Sequence, residues 1–170
     1  MLTKNINFSN FKFKQKNKNL KKYLKIILNE DNQVIRSLKK NYKNKFNNKK
    51  LNIFNNKFDF RVIGMGGSIL GTHAIYDFLN ERIKKKFYFI DNLQNNSIHF
   101  GKKKTTNIII SKSGNTLETI SNINIYLKKN DKNIIITEKK NNYLSNLANK
   151  LKSEIIEHNN FIGGRYSVLS

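Results

Sequence analysis

Between Phe58 and His158, short β-branched runs alternate with amphipathic stretches, and this alternation constrains the fold more than any other feature of the chain. The strand candidates are Phe58–Ile63, Phe87–Asp91, Asn107–Ser111, Asn133–Thr137 and Glu154–His158. Between them, Ser68–Ile83, Thr116–Lys128 and Asn142–Leu151 carry apolar residues at helical spacing. Strand and helix in turn, with short connections, are the pattern of βαβ units. The expected fold is therefore α/β, a mostly parallel sheet flanked by helices on both faces. Ahead of it, Leu20, Tyr23, Leu24, Ile27 and Leu28 fall on one helical face, followed by Val34, Ile35 and Leu38. This predicts one or two helices from Leu20 to about Phe46. The division expected is a basic helical N-terminal segment, residues 1–57, and an α/β domain, residues 58–170.

Composition narrows the chemistry. With 38% hydrophobic and 26% charged residues in 170, a packed core is possible. The chain has no Cys, which removes disulfides, thiolate metal sites and thiol nucleophiles. The longest apolar runs, such as Ile108 to Ile110, fall far short of the roughly 20 residues a bilayer needs. Met1 to Lys25 lacks the uninterrupted apolar core of a secretory signal, so a cytoplasmic protein is expected, with no membrane partner.

The net charge of +22 would ordinarily point to nucleic acid. However, the chain has 29 Lys against 4 Arg, with 30 Asn and 23 Ile, and these last two with Lys supply 82 of 170 positions. A biased code that favours these three residues accounts for the Lys excess. A reader of nucleic-acid grooves would use more Arg, whose fork pairs bidentately with phosphate and guanine. Nucleic acid is accordingly not the expected partner. The charge is uneven, with 16 basic and 2 acidic residues in 1–57 against 17 and 9 in the remainder.

In parallel α/β folds, ligands bind outside the carboxyl ends of strands, so the loops there are where chemistry is sought. The first strand runs into Gly64-Met65-Gly66-Gly67-Ser68-Ile69, a glycine-rich turn opening a helix, where backbone amides can approach an anion. No Lys completes a P-loop, and Ile69 stands where a dinucleotide fingerprint needs Gly. The third strand ends in Ser111-Lys112-Ser113-Gly114-Asn115-Thr116-Leu117-Glu118-Thr119. Its density of hydroxyls at a helix start suits a phosphate monoester held by neutral donors, without a metal; the plainer reading is an N-cap by Thr116 or Asn115. After the last strand comes Gly163-Gly164-Arg165-Tyr166-Ser167, whose glycines let a permanent cation reach a developing oxyanion.

These three segments, in this order, resemble the phosphoglucose isomerase family and its sugar isomerase (SIS) domain. The resemblance covers about Phe58 to Ser170. Departures are Thr72, where the family usually has Pro, and Gly114-Asn115, where many members carry an aromatic residue and Thr. The resemblance implies interconversion of glucose 6-phosphate and fructose 6-phosphate through a cis-enediolate, with no cofactor. Ser111, Lys112, Ser113 and Thr116 would hold the sugar phosphate, and Gly67 and Ser68 would line the sugar side. Arg165, with the Gly164 backbone, would stabilise the enediolate oxygen. In the family the base, the ring-opening His and a late Lys come from sequence beyond the third segment. The expectation is thus an N-terminal part of an isomerase, a homodimer at full length; the alternative is a stand-alone SIS sugar-phosphate-binding or regulatory module. His73, His99 and His158 are expected to serve packing or surface roles, and Glu118 a structural one.

Overall fold

The computed structural model of the chain describes residues 18–43, 52–54, 59–93, 105–128 and 130–164. The chain divides into two compact units, Met1–Lys39 and Lys40–Ser170. The first holds α1, Lys18–Asn29, and α2, Gln33–Ser37. Helical spacing puts Leu20, Tyr23, Leu24 and Ile27 on one face of α1 and Lys22 and Lys25 on the other. In α2 the Asn32 side chain caps the helix, accepting from the Val34 amide at 2.8 Å. Arg36 pairs with Asp31 across the same turn.

The second unit is the α/β domain. Its elements run β1 (Asp59–Gly64), α3 (Leu70–Leu79), β2 (Phe87–Ile90), β3 (Thr105–Ile110), α4 (Leu117–Tyr126), β4 (Lys132–Glu138), α5 (Tyr143–Leu151) and β5 (Glu154–His158). Single 3₁₀ turns cover Asn52–Phe54 and Gly66–Ser68. All strand pairs are parallel, in the order β2-β1-β3-β4-β5. The expected parallel α/β architecture is borne out. Element ends shift by one to a few residues: β3 starts at Thr105 because Thr105 and Thr106 pair with Asp59 and Phe60, and β4 extends from Lys132 to Glu138 to meet Thr106 and His158. The helix expected from Ser68 begins only at Leu70, after the 3₁₀ turn. Phe58, expected to open the first strand, lies outside the described residues. The helical stretch expected to reach about Phe46 ends at Ser37 with Leu38 as its C-cap, and 38–43 are turn and irregular chain; residues 44–46 lie outside the described residues.

Right-handed crossovers in this strand order place α3 on one face of the sheet and α4 and α5 on the other. Paired isoleucines fill the central strands, Ile108, Ile109 and Ile110 lying beside Ile134, Ile135 and Ile136. Such continuous runs suit strands covered on both faces. On the α4 and α5 face, Ile63, Ile90, Ile109 and Ile135 pack with Ile123, Tyr126, Leu144 and Ala148. Burying one such isoleucine contributes about 2 kcal/mol. The α3 face is aromatic over β1 and β2: Phe60 stacks on Phe87 at 4.9 Å, Tyr76 lies 5.1 Å from Phe87, and His73 stacks on Phe89 at 4.3 Å. No described helix is long and apolar enough to cross a membrane.

One polar row crosses the sheet. Arg61, Asn107 and Asn133 are in register on β1, β3 and β4, facing α4. Arg61, 2% exposed, donates to Asn107 Oδ1 at 3.1 Å and to the Tyr126 carbonyl at 2.6 Å, and lies 3.6 Å from Asp131. The Tyr126 carbonyl is among those a helix end leaves unpaired. Asn107 in turn donates to Asn133 and Asp131, at 2.8 and 3.2 Å. Desolvation holds the Arg61 pKa below its usual value, and Asp131 pulls it back up.

Candidate functional site

Strand order reverses between β1 and β3, since the chain turns left to β2 and later right to β4. Ligands of doubly wound sheets sit in the crevice at such a switch point. Here the strand ends Gly64 and Ile110 are register partners, and a Cβ on Gly64 would lie 3.1 Å from the Ile110 carbonyl oxygen. The glycine lets the two strands that launch the site loops close up.

From β1 the chain enters Met65-Gly66-Gly67-Ser68. Gly66 has φ +54° with open space around its Cβ position, and the 3₁₀ turn closes with Ser68 and Ile69 amides donating to the Met65 and Gly66 carbonyls. Gly67 and Ser68 are half-buried there. Ile69, at the position that spoils a dinucleotide fingerprint, is buried as core.

From β3 the chain enters the hydroxyl loop, where Ser111, Ser113 and Thr116 gather. Ser111 Oγ lies 2.8 Å from Thr116 Oγ1, Ser113 Oγ lies 3.4 Å from each, and the Gly114 amide donates to Ser111 Oγ at 3.2 Å. The N-cap reading of this loop fails. Thr116 holds the N-cap position of α4, yet its side chain makes no capping bond and turns to Ser111 instead. Asn115 serves the next helix, its Oδ1 accepting from the Tyr143 amide at 2.9 Å. The first amides of α4 are therefore left without a side-chain cap, and Glu118 lies in its first turn. One turn on, Thr119 and Asn122 are each 1% exposed. Thr119 Oγ1 and Asn122 Oδ1 have no hydrogen-bond partner among the described residues. Buried polar atoms of this kind mark a place for water or ligand. Thr119 is the last hydroxyl of the Ser111–Thr119 segment, whereas Asn122, a polar residue inside a helix, carries no periodic signal of its own.

Gly114 has φ +70° and sits against Asn142, the N-cap of α5. Asn142 accepts from the Ser145 amide at 2.8 Å and donates to Thr137 Oγ1 and the Glu138 carbonyl. This residue, 4% exposed, locks the hydroxyl loop to the end of β4, a role with no local signature.

Lys112 points to the third segment. Its Nζ donates to the Asn160 carbonyl at 3.0 Å and lies 3.3 Å from Glu138 Oε1, while Glu138 Oε2 lies 2.8 Å from Lys140. Hydrogen bonding from Lys140 chiefly, then Lys112, holds the Glu138 carboxyl below its ordinary pKa. Gly164 lies beside Lys112, a Cβ there standing 4.0 Å from Lys112 Cβ. Arg165 lies outside the described residues, as do Tyr166, Ser167 and His99. The structure thus gathers Ser111, Ser113 and Thr116 into one cluster and ties Lys112 to the loop carrying Gly164. No group of His, Asp and Glu among the described residues is placed to hold a metal.

His73 is half-exposed on the aromatic face, 3.6 Å from Asp77. His158 ends β5; its Nδ1 is 2.8 Å from the Asn159 carbonyl, and burial pushes its pKa below 6.5. The neutral ring is the form that folding favours. Stability from this group is fully present above about pH 6.5, the unfolded value, and is lost as pH falls through the lower folded value. Urea titrations at about pH 7.5 and about pH 5 are expected to show a smaller drop in stability for His158→Gln than for the parent. An equal drop in both would show that His158 does not carry it.

Fold and crevice define the class: a doubly wound α/β domain consistent with the sugar isomerase (SIS) type, its glycine and hydroxyl loops at the switch point. The phosphoglucose isomerase family matches residues 14–170, and the chain belongs to that family. It is 42% identical over 127 residues to the glucose-6-phosphate isomerase of Methanocaldococcus jannaschii, covering 64% of this chain and 29% of that protein. Against the Treponema denticola enzyme identity is 37%, over 66% of this chain and 24% of the relative. The chain thus spans 24% to 29% of the length of these relatives. Among solved structures, a hypothetical protein of Thermus thermophilus superposes with TM-score 0.59 at 28% identity, over 66% of this chain and 30% of that one. The Vibrio vulnificus NanR protein, complexed with ManNAc-6P, shares the fold at TM-score 0.50 and 16% identity, over 72% of this chain and 47% of that one.

Proposed function

We propose that this chain holds the phosphate of a hexose 6-phosphate at the β1–β3 switch point, as part of an isomerase interconverting glucose 6-phosphate and fructose 6-phosphate. The observation that carries the reading is the cluster of Ser111, Ser113 and Thr116 at the uncapped start of α4, inside a chain of the phosphoglucose isomerase family. Three hydroxyls and free helical amides surround one anion without a metal, the helix dipole adding its positive end. Gly67 and Ser68, in the turn after the neighbouring strand, line the sugar side, and Lys112 stands at the rim, paired with Glu138. Arg165, with the Gly164 backbone, is assigned in this reading to the oxygen that becomes negative as the enediolate forms, where a fixed cation counts most. Proton transfer between the adjacent carbons needs a general base, and no residue of this chain is assigned that task. A cytoplasmic location and a homodimeric whole protein belong to the same reading.

Calorimetric titration tests it. Glucose 6-phosphate is expected to bind more tightly than inorganic phosphate, and Ser113→Ala to weaken both by about tenfold, the scale of one hydrogen bond to a charged group. Ser113 is exposed and its bonds within the loop are long, so its loss should spare the fold. Equal affinity for the two ligands, or Ser113→Ala binding as the parent does, would refute the reading. A stand-alone sugar-phosphate sensor is the second reading, favoured by the Ser113-Gly114-Asn115-Thr116 form of the loop. Conversion of glucose 6-phosphate to fructose 6-phosphate, abolished by Arg165→Ala, would exclude it.

A further inference from the structure

Lys112 belongs to the hydroxyl loop, yet its ammonium is directed elsewhere. It joins the Glu138 carboxylate at the end of β4 to the Asn160 carbonyl beyond β5, so one side chain links three strand ends. The backbone repeats the link, the Glu138 amide donating to the Lys112 carbonyl at 3.1 Å. The Glu138 side chain is 13% exposed and that of Lys112 27%, so the pair is shielded from much of the screening that weakens surface pairs. The titratable groups around Glu138 are the cations Lys112 and Lys140 and the His158 ring, whose neutral form folding favours. Gly164 lies beside Lys112, where a Cβ on the glycine would stand 4.0 Å from Lys112 Cβ.

We propose that Glu138 is a specificity-determining positioning residue, which holds Lys112 off the phosphate and uses it to fix the Asn160–Gly164 loop over the sugar. The proposal rests on the phosphate-site reading above. With Glu138 ionised, the anion meets mainly neutral donors, and discrimination moves to the sugar side, where Gly164 stands. Without that carboxylate, Lys112 is free to turn to the nearest strong anion, which in the liganded protein is the phosphate. The loop then loses its tie. The consequence has opposite signs for two ligands, which a general loss of structure does not produce.

The test compares inorganic phosphate and glucose 6-phosphate binding to the parent chain, Glu138→Gln and Lys140→Gln, with amide hydrogen exchange over residues 160–164. Glu138→Gln is expected to bind inorganic phosphate roughly fivefold more tightly, the scale of one partly exposed ion pair, and more salt-dependently. Its preference for glucose 6-phosphate over phosphate should fall about tenfold, and the 160–164 amides should exchange faster. Lys140→Gln, which removes only the outer ion pair, should leave the preference within about twofold. Lys112→Met supplies a second variant should Glu138→Gln fail to fold; it is expected to lose the preference and the exchange protection without gaining phosphate affinity. An unchanged ratio in Glu138→Gln, or equal weakening of both ligands, overturns the proposal while the phosphate site stands. If the parent binds neither ligand, the phosphate-site reading falls and the claim on specificity with it.

Discussion

Gly114→Ala is expected to destabilise the domain by about 3 kcal/mol or more, lowering its melting temperature by about 10 °C. Two costs act together. The backbone at φ +70° is one that residues with a Cβ rarely adopt, and the new Cβ would overlap the side-chain amide of Asn142. That amide has no room to retreat, since it caps α5 through Ser145 and is bonded to Thr137 and the Glu138 carbonyl. Pushing it aside uncaps a helix and unpairs buried groups. In an Asn142→Ala background the overlap disappears and only the backbone cost of about 1 kcal/mol remains. A thermal melt of Gly114→Ala close to the parent's, or the same loss in both backgrounds, would contradict this account.

Arg61→Leu is expected to cost about 3–5 kcal/mol in urea unfolding, because it strands the Asp131 carboxylate in the interior. The Asp131 side chain is 9% exposed, and the Tyr126 carbonyl and Asn107 Oδ1 lose their donor in the same step. Replacing the network as a unit, with Arg61→Met, Asn107→Leu and Asp131→Asn together, should recover more than half of that loss. A buried ion pair costs most when it is half removed. If the triple variant is less stable than Arg61→Leu alone, the row contributes through packing and not through its charges. Because this network faces α4 on the amino-terminal half of the strands, neither variant acts on the hydroxyl loop directly.

The alternation of elements was legible because a strand or helix announces itself through its own period. Glu154–His158 is a strand to the residue, and Asn142–Leu151 is α5 with Asn142 as its cap. Misjudged ends, such as Thr105 and Thr106 in β3 or Lys132 and Glu138 in β4, are polar residues that only their ladder partners recruit. Within the site, the hydroxyls of Ser111, Ser113 and Thr116 were readable as a cluster since they are neighbours in sequence. Glu138 and Asn142 were not. Each acts on a loop more than twenty residues earlier, and nothing near either residue reports the encounter.

What the sequence determined by itself is therefore the kind of each element, the parallel α/β class and the loops able to hold an anion, since all three rest on local periodicity and local composition. Strand order, the switch point between Gly64 and Ile110, the row from Arg61 to Asn133 and the turning of Lys112 toward Glu138 were decided only in the tertiary structure. The physical reason is that a side chain's burial pattern records which face is covered, while its choice among distant partners depends on which strands the crossovers bring side by side.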